Sequence, residues 1–148
     1  MGVTGANGGS HSQAACAFQR EERMNPFEYI ESVKERLSTD SIVLGFDISR
    51  EFSNLNEAFI RVRANLINGD VLDFSELIEQ ETGLEIISYR FQWLDKNKQS
   101  IRRWDNAPHF PSLYNFPHHI HTGKDQVVPG KPVNIFDILD EIGKTIQK

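Results

Sequence analysis

The chain has 148 residues, 39% hydrophobic and 25% charged, which suits one soluble globular domain with a single core. No run of about 18 apolar residues occurs, so no membrane span is expected; the single cysteine, Cys16, excludes an internal disulfide or a multi-cysteine zinc site and suits a reducing cytoplasm. A net charge of −5 argues against indiscriminate polyanion binding and leaves room for a local basic face.

Residues 1–23, MGVTGANGGSHSQAACAFQREER, show no period and are rich in Gly, Ala and Ser, the composition of a disordered tail. They lack the long apolar core of a secretory signal. REERMN back-translates into a purine-rich run ahead of an ATG, the pattern of a ribosome-binding site just upstream of Met24. The expected organisation is therefore a disordered leader over 1–23, with Met24 as the native start, and one domain over 24–148.

From Met24 onward, NPFEYIESVKERLS reads as a helix. Asn25 is its N-cap, Pro26 its first residue, and Glu28 can close a capping box. Phe27, Ile30, Val33 and Leu37 share one face. SIVLGFDISREF is a strand. In the next segment Ile60, Val62, Ala64 and Leu66 alternate with Arg61, Arg63 and Asn65, a strand with one buried face and one polar face. Asn68-Gly69 signals a hairpin. A three-residue loop or a bulge keeps both faces consistent, and the expected pairs are Leu66 with Leu72, Ala64 with Phe74 and Arg63 with Ser75.

GLEIISYRFQWLDKNKQSIRRWDN reads as a second hairpin around DKNK. Ile87, Tyr89, Phe91 and Trp93 form its apolar face; Ser88, Arg90 and Gln92 form the other, joined by Arg103, which shares its parity with Asp105. Trp93 and Trp104 are expected in the packing. NFPHHIH is a short extended piece and GKDQVVPGKP a loop. VNIFDILDEIGKTIQ closes the chain as a helix capped by Asn134, with Asp137 near its positive end. The fold class expected is α+β: a curved, mostly antiparallel sheet of four to six strands, with N- and C-terminal helices on one face.

The other face would gather Arg61, Arg63, Arg90 and Arg103 on an acidic protein. Guanidinium forks match phosphate, so the surface suits RNA; the alternative is a solvated face whose arginines pair with Asp73, Glu85 or Asp105. Four of the five histidines, His109, His118, His119 and His121, lie in one turn-rich segment with Pro108, Pro111 and Pro117. Imidazoles titrate near neutrality and can move protons, and RNA cleavage by a 2′-hydroxyl needs a base, an acid and a cation. His119 and His121 lie two apart and point the same way, with His118 opposite, so with His109 or Asp105 they could instead hold a transition metal. Phe110, Tyr114 and Phe116 could stack on bases, although burial is commoner for aromatics.

The run YRFQWLDKNKQSIRRWDNAPHFPSLYNFPHHIH resembles the TumE-type toxins of bacterial and archaeal toxin–antitoxin pairs. The matching parts are Tyr89–Trp93, Arg103–His109, Phe116–His121 and the final helix over Val133–Ile142. The resemblance is close from Tyr89 to the C-terminus; Met24 to Thr82 match only in arrangement. It implies a small cytoplasmic growth inhibitor encoded beside an antitoxin. At the level of fold, the layout is also similar to that of small toxin ribonucleases.

The expectation is a toxin acting on RNA as a metal-independent endoribonuclease, without cofactor. Its catalytic residues would be His119, His121, Asp105 and Arg103. Arg90, Arg61, Arg63, Asn106, His109 and His118 would bind substrate. RNA and a cognate antitoxin are the expected partners, with a homo-oligomer as a further option. Two rival readings stand beside it: a binding module whose arginine face docks an acidic partner, and a metal-dependent nuclease using the HHxH segment.

Overall fold

Asn25 and Glu28 form the reciprocal cap that their spacing predicts. The Asn25 side chain accepts from the Glu28 N–H at 2.8 Å, and the Glu28 carboxylate accepts from the Asn25 N–H at 3.1 Å. Helix α1 (Pro26–Thr39) starts there. The computed structural model describes residues 24–146; the expected leader over 1–23 lies outside the described residues.

Seven strands follow: β1 (Val43–Ser53), β2 (Glu57–Leu66), β3 (Val71–Gln80), β4 (Leu84–Leu94), β5 (Ser100–Asp105), β6 (His119–Thr122) and β7 (Val127–Pro129). They lie side by side in chain order, each antiparallel to the last. Helix α2 (Ile135–Ile146) ends the described chain. The class is α+β as expected, but the sheet has seven strands rather than four to six. The extra one is β7: GKDQVVPGKP, read as loop, supplies a three-residue strand against β6.

One face of the sheet is the core. Ile60, Val62, Ala64, Leu72, Phe74, Phe91, Trp93 and Trp104 are buried in one cluster with Ile30, Val33 and Leu37 of α1 and Ile138, Leu139 and Ile142 of α2. Both helical stripes thus cover the same face. The β3 residue Glu76 lies among them, wholly buried. Its Oε1 accepts from the Tyr29 hydroxyl at 2.9 Å and its Oε2 from the Ile135 N–H at 3.0 Å, so one carboxylate ties both helices to the sheet.

Two register details depart from expectation. Four residues, 67–70, join β2 to β3, and Ala64 faces Leu72, Val62 faces Phe74 and Arg63 faces Asp73. The pairs are therefore shifted by two residues from those expected, which preserves which side chains face the core. Gly69, at φ 94°, takes the left-handed place that closes so short a loop, and Leu66 N–H donates to Asp70 O at 2.9 Å. In β4, Ser88 pairs Leu77 while Ile86 pairs Ile78, leaving Ile87 as the extra residue of a bulge. Ile87 is consequently exposed, and Ile86 takes its expected place against the core.

Candidate functional site

Strand register brings side chains far apart in sequence into two rows across the open face. One row runs Arg61, Ser75, Arg90, Asp105, His119, from β2 to β6. The next runs Arg63, Asp73, Gln92, Arg103, His121. Neighbouring strands lie about 4.8 Å apart, so each row is a track of closely spaced polar groups. The parity assigned to Arg103 holds: Arg102 turns to the helix side, where it pairs with Glu141 of α2 at 2.9 Å and lies over Trp104.

The β5–β6 end is dense. Asp105 is buried. Its Oδ2 accepts from Arg103 Nε at 3.1 Å and its Oδ1 from the Ala107 N–H at 3.1 Å. Arg103 Nη2 lies 2.9 Å from His121 Nε2. A guanidinium only donates, so that ring nitrogen accepts and the His121 ring is neutral in this arrangement. Burial, with Arg103 beside it, holds His121 below the usual histidine range.

His119 is 2% exposed. Its Nδ1 lies 2.9 Å from the Pro117 carbonyl, and its Nε2 lies 2.8 Å from Asp105 Oδ1 without the alignment of a hydrogen bond. Phe110 packs edge-on against both rings, at 4.9 Å from His119 and 5.9 Å from His121. Gly130 lets β7 approach: a Cβ there would come within 3.1–3.2 Å of the His119 backbone. Asp105, His119 and His121 each offer one ligand atom, all within 4.8 Å of one another, and this is the cluster that could hold a metal among the described residues.

The remaining expected site residues fall in three groups. Arg90 stands beside Arg103 on the open face and donates to Gln92 at 2.8 Å; burial, followed by the Arg103 charge, lowers its pKa. Arg61 and Arg63 are exposed and share one carboxylate, Asp73, at 3.7 and 3.6 Å. Asn106, His109 and His118 do not join the cluster. Asn106 accepts from the Tyr89 N–H and donates to Ile87 O, both at 3.0 Å, which holds the β4 bulge. His109 is exposed on the loop. His118 points the other way and shares a 2.8 Å hydrogen bond with the Tyr89 hydroxyl. Desolvation raises the Tyr89 pKa, and desolvation and His119 lower that of His118.

A family model described as Toxin TumE matches residues 33–147. The chain belongs to the TumE toxin family. No curated protein and no solved structure matches it.

For this TumE-family chain, the sequence reading missed Phe110 as the cover over two imidazoles and Gly130 as the space that seats their strand. The aromatic beside His109 was visible as a burial candidate; nothing local signalled Gly130, because its neighbour lies across the sheet. Four guanidiniums, those of Arg61, Arg63, Arg90 and Arg103, share the face, while Asp73 and Asp105 are the carboxylates ion-paired to them among the described residues. The same face also carries Asp47 opposite Arg63, and Glu57, Glu79 and Glu85 in a row at the far end of the sheet, so the positive charge is concentrated locally, where Arg90 and Arg103 stand. No described helix is long and apolar enough to cross a membrane.

Proposed function

We propose that the chain is the toxin of a toxin–antitoxin pair and acts on RNA as a metal-independent endoribonuclease. The observation that carries this reading is Arg103 donating to His121 at 2.9 Å, with Arg90 alongside on the open face. A proton acceptor and two phosphate-matching cations stand at one point. Family membership supports a cognate antitoxin as partner.

In the proposed reaction the scissile phosphate takes the Arg103 and Arg90 guanidiniums. Arg103 leaves His121 Nε2 to do so, which frees that lone pair to accept the 2′-hydroxyl proton. The 2′-oxygen attacks phosphorus, the bond from phosphorus to the 5′-oxygen breaks, and the products are a 2′,3′-cyclic phosphate and a 5′-hydroxyl. His119, 4.9 Å from His121 ring to ring, gives the leaving oxygen its proton once Phe110 moves aside. Asp105 orients Arg103 and faces both imidazoles. Arg61 and Arg63 extend the track for neighbouring phosphates, with Asn106, His109 and His118 as secondary contacts or supports.

The test is inducible expression in a bacterium, following growth and total RNA together. The wild-type chain should stop growth and fragment RNA, and His119→Ala with His121→Ala should do neither. Growth arrest by a folded double variant would refute catalysis and favour a module that docks an acidic partner through its arginines.

A further inference from the structure

The His119 ring is oriented for more than proton transfer. The Pro117 carbonyl can only accept, so Nδ1 carries a proton and, in the neutral ring, Nε2 carries a lone pair. That lone pair lies 2.8 Å from a carboxylate oxygen in a pocket closed to water, and it has no hydrogen-bond partner. Two acceptors in that position repel unless a proton or a metal ion joins them; the proton gives the acid form of His119 used in the reaction above, and the metal ion gives a second, competing state. His121 Nε2, also a lone pair, stands 3.7 Å from the other Asp105 oxygen. Two imidazole nitrogens and one carboxylate therefore converge on one point.

The supports are those of metal ligands. The Pro117 carbonyl fixes the His119 ring, and the Ala107 N–H holds the Asp105 carboxylate. The donor set, two nitrogens and one oxygen, suits zinc and its first-row neighbours; calcium and magnesium need about six oxygens. Arg103 Nη2 now occupies the approach to His121 Nε2. A divalent ion and a guanidinium cannot share that approach. The Arg103 side chain is 30% exposed, so its displacement would carry it toward solvent.

We propose that Asp105, His119 and His121 form a transition-metal site of the zinc type, and that metal and Arg103 occupy it in alternation. With metal bound, both imidazoles are consumed as ligands and Arg103 is displaced, so the ion silences the site. The binding claim stands on geometry alone; the silencing claim rests on the ribonuclease reading above.

The experiment uses the full chain, stripped with chelator and dialysed, titrated with Co²⁺ by absorbance and with Zn²⁺ by calorimetry. One equivalent should bind, with cobalt bands of low coordination number, and Mg²⁺ should leave the heat unchanged. His121→Ala should weaken binding by at least the ~10–100-fold that loss of a mere supporting hydrogen bond costs. Arg103→Met should tighten binding, the signature of competition. His119→Ala repeats the test at the buried ligand, and circular dichroism checks its fold; His121, less deeply buried, decides if that variant fails to fold. Absence of stoichiometric binding, or binding untouched by His121→Ala, overturns the site. RNA cleavage is followed in the same samples. Loss of cleavage on adding Zn²⁺ supports silencing, and stimulation by Zn²⁺ overturns silencing and the metal-free mechanism together. A chain that binds metal yet cleaves nothing keeps the site and refutes the ribonuclease reading.

Discussion

Glu76 offers the clearest test of how the helices are held. The informative change is Tyr29→Phe, which keeps the ring and deletes the hydroxyl that donates to Glu76 Oε1 at 2.9 Å. Both residues are 0% exposed, so water cannot replace the bond without rearrangement. A buried polar group that loses a hydrogen-bond partner costs about 1–3 kcal/mol, and relief of the hydroxyl's own desolvation offsets part of it. The expected loss is about 2 kcal/mol, equivalent to about 8 °C in Tm for a domain of this size. The double variant with Glu76→Gln should show a coupling of about 1 kcal/mol. Urea unfolding can be followed by fluorescence, since Trp93 and Trp104 are both buried. A Tyr29→Phe loss under about 0.5 kcal/mol, with unchanged m, would refute the reasoning.

Other outcomes follow from the same geometry. Trp93→Phe deletes the buried bond from Nε1 to Asp70 Oδ2 at 2.9 Å and should cost about 1–2 kcal/mol by urea unfolding. Asp73→Asn frees Arg61 and Arg63; single-stranded RNA should bind more tightly, with a salt slope steeper by about 0.7 per phosphate gained, as read by anisotropy at several salt concentrations. His118 and His121 are both held below the usual histidine range by burial, with His119 and Arg103 adding to it respectively. The unfolded chain therefore takes up protons first as pH falls. Their contribution to stability is complete above about pH 6.5 and is lost as pH falls through the folded values. With chelator present, the urea midpoint should drop between about pH 7.5 and pH 5, and His118→Asn should flatten the slope; an unchanged slope would contradict the assignment.

What was legible in the chain was its alternation. The faces of β2 and the upper part of β4, the choice of Arg103 over Arg102, the opposed directions of His118 and His119, and the α1 cap all follow from local periods of two or three to four residues. What escaped notice depends on partners remote in sequence. The bulge at Ile87 breaks the parity count, because an inserted residue leaves no mark on a run of apolar letters. Strand β7 has three residues between breakers and exists because β6 offers an edge. The two-residue shift in the β2–β3 pairing leaves the face pattern intact, so the pattern alone could not set it. Glu76 reads as one polar letter in a strand, and its burial is understood only once Tyr29 and the start of α2 arrive around it. The candidate site follows the same division: its residue types and parity were readable, and the contact of Arg103 with His121 needed the β5–β6 register.

In the proposed reaction, guanidiniums and imidazoles on the open face act together on RNA. The most direct measurement is single-turnover cleavage of end-labelled RNA by purified protein in chelator, comparing wild type with His121→Ala and Arg103→Ala, with the new ends identified by mass spectrometry. Wild type should leave 2′,3′-cyclic phosphate ends, and His121→Ala should cleave about 10²–10⁴-fold more slowly, the usual worth of a general base. Intact RNA at high protein concentration, or equal rates for wild type and His121→Ala, would contradict that reaction.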